Sequence, residues 1–363
     1  VIFGAGLILA LIPSFVSAKP KYISPNSDGV NDELVIPLNI SEKRYVQAWK
    51  LVVMDSDKNV VREIGNKVAQ PEKIGFISFF KQLVTPKRGI QIPDAITWNG
   101  AMNNGETAPD GSYYYYITAT DDNGNVGKTK EYEVIVDTVA PEIELAQPSD
   151  RIFGEGAKSA FRVRQSGSVE DEWTGVFRNA EGTAVKTYKW TNAEPAEFSW
   201  YGTDDTDAQV QDGVYTYEVT ATDRAGNVAP KSVISNIIYS ADKPSTNIYV
   251  DGTRYFSPRT ASKNGRVTFN LSIPVPDAKS GNRLTEWNVD ITDSSGKTVR
   301  TFRGGDNGSL PPSSLVFDGT DDSGNPLADG EYKASVHAKY LNGYEPAVIS
   351  SPVVVLDTKK PEA

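Results

Sequence analysis

Trp98-Asn99-Gly100, followed by Asp110-Gly111-Ser112-Tyr113 and then Gly124, decides the fold because the pattern occurs three times. Trp200-Tyr201-Gly202 leads to Asp212-Gly213-Val214-Tyr215 and Gly226, and Phe317-Asp318-Gly319 leads to Asp329-Gly330-Glu331-Tyr332 and Gly343. In each copy the first two glycines are eleven residues apart and the next two thirteen. Two spacings kept three times mark an internal repeat.

Working outward, each copy has an upstream strand that starts at a tryptophan: Trp49, Trp173 or Trp287. Downstream, each closes on a proline linker, at Asp137-Thr138-Val139-Ala140-Pro141, Asp242-Lys243-Pro244 and Asp357-Thr358-Lys359-Lys360-Pro361. The repeat therefore predicts an all-β chain of three Ig-like or fibronectin-III-like β-sandwiches in tandem, over residues 19–141, 142–244 and 245–361. The short, proline-extended linkers predict a semi-rigid array.

Period-2 alternation after the Asp-Gly turns assigns the faces. Tyr113, Tyr115, Ile117 and Ala119 point inward, as do Tyr215, Tyr217, Val219 and Ala221, and Tyr332, Ala334, Val336, Ala338 and Tyr340. The only histidine, His337, falls on the wet face, and no catalytic role is assigned to it. Tyr114 and Tyr116 also face outward, where two tyrosines on one strand suit a partner contact. Trp49 to Gly100 spans 51 residues against 29 and 32 in the other copies, which places an insertion of about twenty residues within Asn66 to Pro93. Its Gly75-Phe76-Ile77-Ser78-Phe79-Phe80 is too apolar for water, so the alternative is that it folds over Tyr114 and Tyr116.

Composition narrows the chemistry. The chain has 363 residues, 47 acidic against 37 basic, a net charge of −10, no cysteine and one histidine. Disulfides, thiolate metal sites, cysteine nucleophiles and His-rich metal centres are excluded. The acidic balance argues against a nucleic-acid partner and an anionic membrane surface. Residues 1–18 are uncharged, mostly apolar, and end in Val16-Ser17-Ala18. They read as a signal peptide, and so as export to the periplasm, cell envelope or cell surface, with no membrane span in the mature chain. A linker at Pro361 like those that open the second and third copies gives the expectation of further domains beyond it.

Trp98-Asn99-Gly100 through Gly105, Asp110-Gly111-x-Tyr113 and Asp121-Asp122-Asn123-Gly124, with the upstream Asp55 to Arg62, resemble the Ig-like domain of the bacterial flagellar hook-cap scaffolding protein, a domain type that also recurs in secreted subtilisin-like proteases. The third copy matches through Asp293 to Arg300 and Phe317 to Gly324. The second departs, with Gly175 at a core strand position and Asp207 in place of a turn glycine. The resemblance implies a sandwich acting as spacer, scaffold or adhesion module, and specifies no activity.

Ser24-Pro25-Asn26-Ser27-Asp28-Gly29-Val30-Asn31-Asp32 resembles the opening motif of surface-protein domains in gliding-motility and adhesion proteins. Asn26, Asp28, Asn31 and Asp32 offer oxygens around a turn glycine, the donor type calcium takes. Measured against an EF-hand loop, Val35 stands where the bidentate Glu belongs, so only a partial calcium loop is possible. The alternative is an Asx-rich turn whose side chains cap backbone N–H groups. Asp121-Asp122-Asn123-Gly124 and Asp204-Asp205-Thr206-Asp207 read as solvated turns.

Three functions compete: a non-catalytic structural or adhesive array with a protein or cell-wall partner, a hydrolase using paired carboxylates, and a carbohydrate-binding accessory region of a larger secreted enzyme. The acids recur with the fold and no Gly-x-Ser-x-Gly motif is present, which sets the hydrolase aside.

Overall fold

In the computed structural model, the described residues are 20–38, 46–67, 90–258, 264–277, 280–305 and 310–360. Residues 1–18, read above as a signal peptide, and the apolar Gly75–Phe80 segment of the expected insertion lie outside them. The chain forms two compact units, one of residues 1–142, 170–172 and 221–230, the other of 143–169, 173–220 and 231–363. Among the described residues, regular structure is almost all strand, and a 3-10 turn lies at Gly156–Lys158.

The strands pair in three groups. In the first, a sheet runs Lys21–Ile23, Tyr132–Val136, Gly111–Asp121, Val46–Met54, Val60–Lys67, and Leu34–Pro37 pairs with Ala95–Trp98 in a second. The next has the order Ile152–Phe153, Ser232–Tyr239, Gly213–Ala221, Glu170–Arg178, Ala184–Ala193, with Phe161–Val163 paired to Phe198–Trp200. The last runs Tyr255–Phe256, Val354–Leu356, Gly330–Tyr340, Leu284–Asp293, Thr298–Gly305, with Asn247–Val250, Val267–Ser272 and Ser314–Phe317 in the second sheet. These are tandem β-sandwiches, and each has a short early strand running parallel to its own last strand.

The inward faces follow from alternation. All of the residues assigned inward above are buried, as are Trp49, Trp173 and Trp287. The glycine spacing has a packing cause. The bulky residue before each turn glycine meets the tyrosine fifteen positions later edge-on: Trp98 with Tyr113 at 5.5 Å, Trp200 with Tyr215 at 5.1 Å, Phe317 with Tyr332 at 5.7 Å. Such contacts add to the burial of two large rings. Each tyrosine then donates its hydroxyl to the backbone carbonyl four residues back, at Pro109, Gln211 or Ala328 (2.8, 2.5 and 2.7 Å). A buried phenol thereby keeps a partner.

The departures of the second copy have local explanations. A Cβ on Gly175 would stand 2.3 Å from the Tyr217 hydroxyl. Tyr217, fully buried, fills that space and donates to Gln165 Oε1 at 2.7 Å, and burial raises its phenol pKa. Asp207 has φ 63, the left-handed conformation that Gly105 and Gly324 take in the other copies. Asp is among the residues that tolerate this region.

Candidate functional site

The Asp of each Asp-Gly pair anchors the linker that leaves its sandwich. Thr138 donates its backbone N–H and its hydroxyl to Asp110 at 3.1 and 2.9 Å. The Ala241 N–H reaches Asp212 at 2.9 Å, and Thr358 gives both donors to Asp329 at 2.9 and 2.8 Å.

In the first unit the linker is also held by the turn at residues 223–227. Asn227 is buried, and its Nδ2 donates to the Asp137 carbonyl at 2.9 Å and to Asp223 Oδ2 at 2.8 Å. Its Oδ1 accepts from the buried Ser24 hydroxyl at 2.7 Å. Beside it, Asn31 Nδ2 donates to the Ala225 carbonyl at 3.0 Å. Arg224 makes a bidentate pair with Asp171 and donates to the Tyr22 hydroxyl at 3.1 Å. A Cβ on Gly226 would stand 2.5 Å from Val30, so close approach as well as a φ of 96 requires glycine here.

A second clasp lies within the second unit. Asn342, fully buried, donates through Nδ2 to the carbonyls of Ser240 and Asp242 at 3.0 and 2.9 Å. Its own carbonyl accepts from the Glu155 N–H at 2.9 Å. Lys243 pairs with Glu155 at 2.9 Å. Neither asparagine was singled out by the sequence reading, although each adjoins the third glycine of its repeat, which was the available signal.

The four candidate metal ligands share one loop, and oxygens of Asn26, Asp28 and Asp32 accept hydrogen bonds from the loop itself. Asn26 Oδ1 accepts from the Asp28 N–H at 3.0 Å and Asp28 Oδ1 from Val30 at 2.7 Å. Asp32 accepts from Ser27 and Gly29 at 2.6 and 2.8 Å. Among the described residues no group of three or more His, Asp or Glu side chains converges as a metal site. Of the four, Asn31 reaches outside the loop, through the bond to Ala225.

Tyr114 and Tyr116 are half-buried on one face of Gly111–Asp121. Each ring is covered by an ammonium: Lys58 Nζ lies 3.6 Å from the Tyr114 centroid and Lys128 Nζ 3.7 Å from that of Tyr116. Glu131 joins the two lysines at 3.0 and 3.5 Å. Its pKa is lowered chiefly by the hydrogen bond from Lys58. Lys58 holds φ 66 where the matching turns of the other copies have Gly182 and Gly296. A lysine at a glycine's backbone conformation is locally strained.

The acidic turns share one device. Asp121 Oδ1 accepts from the N–H groups of Asn123 and Asn125 at 2.9 and 2.8 Å, and Asp204 Oδ1 from Thr206 and Ala208 at 2.8 and 3.0 Å. Asp55, Asp293 and Asp321 do the same in their turns. His337 is half-buried on the outer face, its Nε2 3.7 Å from Asp290 Oδ2.

The fold and these linker contacts define a class, the tandem array of Ig-like β-sandwiches. Within it, the family model for the FlgD Ig-like domain matches residues 149–225 and 259–341. The match includes the copy that departs at Gly175 and Asp207. No curated protein matches the chain. Similar solved structures include a tetra-tandem repeat from the extending region of a large adhesion protein, at 17% identity and a TM-score of 0.26, covering 91% of this chain and 72% of that one. Fibronectin(III)-like modules of Clostridium thermocellum CbhA align at 13% identity and a TM-score of 0.33, covering 63% and 93%. A structure from a 1.5-MDa bacterial ice-binding adhesin aligns at 14% and 0.32, covering 90% and 91%. Likeness at this level carries no argument about activity.

Proposed function

We propose that this chain is a non-catalytic segment of an exported bacterial cell-envelope protein, acting as a spacer, scaffold or adhesion array of three sandwiches with boundaries near Pro141 and Pro244. The observation that carries this reading is the pair of buried asparagine clasps on the linkers, Asn227 on Asp137 and Asn342 on Ser240 and Asp242. Buried polar side chains with every donor used define one geometry of the chain around them. Strand pairing supports the boundaries, since no pair of described strands joins residues on opposite sides of Pro141 or Pro244. Among the described residues no helix is long and apolar enough to cross a membrane. The experiment is small-angle scattering on the full chain and on Asn227→Ala/Asn342→Ala. A spacer requires the distance distribution to broaden in the double variant; an unchanged distribution, or hydrolysis of glycan or peptide by the native chain, overturns the reading.

A carbohydrate-binding accessory role is the second reading, and Tyr114 and Tyr116 are what favour it, being specific to the first copy. Lys58 and Lys128 sit on the ring faces a sugar would stack against. A polar or acidic partner therefore suits this face better than a neutral sugar, and a glycan array with no bound ligand removes the carbohydrate role.

A further inference from the structure

We infer that this chain carries tension along its length: in each sandwich a parallel pair of terminal strands forms a clamp that end-to-end force loads in shear. The inference rests on the tandem-array reading and adds a mechanical function to it.

The clamp is built the same way three times. Lys21, Tyr22 and Ile23 pair in parallel with Val134, Ile135 and Val136, Ile152 and Phe153 with Ile238 and Tyr239, and Tyr255 and Phe256 with Val355 and Leu356. In every case the second strand is the last of its sandwich. The residue after it donates its N–H back to the final residue of the short strand: Asp137 to Ile23, Ser240 to Phe153 and Asp357 to Phe256, each at 3.0 Å. Those three acceptors, Ile23, Phe153 and Phe256, are core residues with 2% exposure or less.

Strand direction decides how such a pair meets force. The chain comes in at the start of one strand and leaves at the end of the other, and in a parallel pair these two leads lie at opposite ends. Pulling them apart slides the strands along each other, so all the hydrogen bonds between them stretch at once. An antiparallel terminal pair would place both leads at one end and open bond by bond. Sliding by one residue also turns each side chain to the opposite face, so Ile23, Phe153 or Phe256 has to leave the core.

Stability alone does not account for the arrangement. Parallel pairing is the weaker kind per residue, and the second and third sandwiches give up antiparallel pairing to obtain it. Ile143–Leu145 pairs with Gln165–Gly167 and Asn247–Val250 with Val267–Ser272 before the chain crosses to the other sheet and lies beside the last strand. The Asn247–Val250 strand leaves its partner at Phe269, although that partner runs on to Val267. Beyond the clamp the outgoing lead is held again, by Asp110 on Thr138 and by Asp329 on Thr358.

The absence of cysteine lets pulling handles be attached through introduced thiols. Pro20→Cys with Val139→Cys pulls the first sandwich from opposite ends of its clamp. Pro20→Cys with Lys130→Cys pulls from one end, because Lys130 precedes Tyr132–Val136 as Pro20 precedes Lys21–Ile23. All three positions lie outside the strands, so chemical denaturation should give both double variants the same midpoint. In single-molecule stretching of the full chain the first pair should need a force higher by about twofold or more, since forced unfolding reads the barrier rather than the equilibrium. Asp137→Pro, which deletes the donor to Ile23, should lower the first force and leave the second unchanged. Equal forces in the two directions, or a first force that Asp137→Pro does not change, overturn the clamp and leave the array reading standing. Stretching between Pro20→Cys and Lys360→Cys reads the array itself and should give separate unfolding events; one event for the whole chain overturns both.

Discussion

Asn227 Nδ2 donates to the Asp137 carbonyl at 2.9 Å, and the same side chain accepts from Ser24, so one amide ties a turn to both the linker and the opening loop. Asn227→Ala leaves the buried Ser24 hydroxyl and the Asp137 carbonyl without their partner. Each orphaned buried group costs about 1–3 kcal/mol. Chemical denaturation of the variant should show a loss of about 2–3 kcal/mol, and Asn342→Ala a similar loss. Asn125→Ala, an exposed side chain bonded only within its own turn among the contacts described, should cost clearly less.

The three hydroxyls of Tyr113, Tyr215 and Tyr332 predict a second, smaller effect. Phenylalanine keeps the edge-on ring contacts and removes one bond to a carbonyl four residues back. Each Tyr→Phe change should lower stability by about 1 kcal/mol, equally in the three positions within error. A variant with no loss at any of them contradicts the view that the Asp-Gly-x-Tyr spacing is kept for this hydrogen bond.

Gly175 and Tyr217 form a coupled pair. Gly175→Val collides with the phenol and should destabilise the protein by at least about 2 kcal/mol. Combined with Tyr217→Ala, which reproduces the Val289 and Ala334 that stand at these positions in the third sandwich, the total should fall short of the sum of the single losses by at least about 1 kcal/mol. Additive losses would show that the glycine is not there to admit the ring.

That pair also shows where sequence reading ends. Alternation was sufficient to place the inward tyrosines and the outward His337, because one-face burial imposes a period of two. The sandwich count followed from glycine spacing, since the turns and their edge-on ring contacts fix that spacing. Gly175 looked like a defect because periodicity registers only the missing side chain; the ring that fills the gap comes from another strand. Asn227 and Asn342 were invisible for the same reason. Their partners lie 90 and 100 to 102 residues away in the chain, and an asparagine beside a turn glycine is locally just a turn residue. Tyr114 and Tyr116 were legible as outward, whereas the lysines over them were not, because Lys58 reaches its ring from a turn that elsewhere carries glycine.

Calcium offers a direct check on the opening loop. Its carboxylate oxygens already accept from Ser27, Gly29, Val30 and Asn26. Binding an ion would require giving up these bonds, so adding Ca²⁺ to chelated protein should leave the melting temperature unchanged. A rise that Asp28→Ala abolishes would establish the partial calcium loop instead.

Acid should unfold the chain through its turns. Hydrogen bonds lower the pKa of Asp55 and Asp121, led by the side-chain amides of Asn59 and Asn125, and that of Asp204, led by the Thr206 hydroxyl. Asp293 and Asp321 shift the same way. A carboxyl whose pKa is depressed in the folded state contributes stability above its unfolded value, about 3.9 for aspartate, and loses that contribution as pH falls through the folded value. Asp137 moves oppositely, raised chiefly by desolvation, and is outnumbered by the lowered carboxyls. Melting temperature should therefore be nearly level from pH 7 to about 5 and decline below it. Asp121→Asn keeps the acceptor oxygen without the titration and should flatten part of the decline; an equally steep decline in that variant would remove the turn carboxylates as its cause.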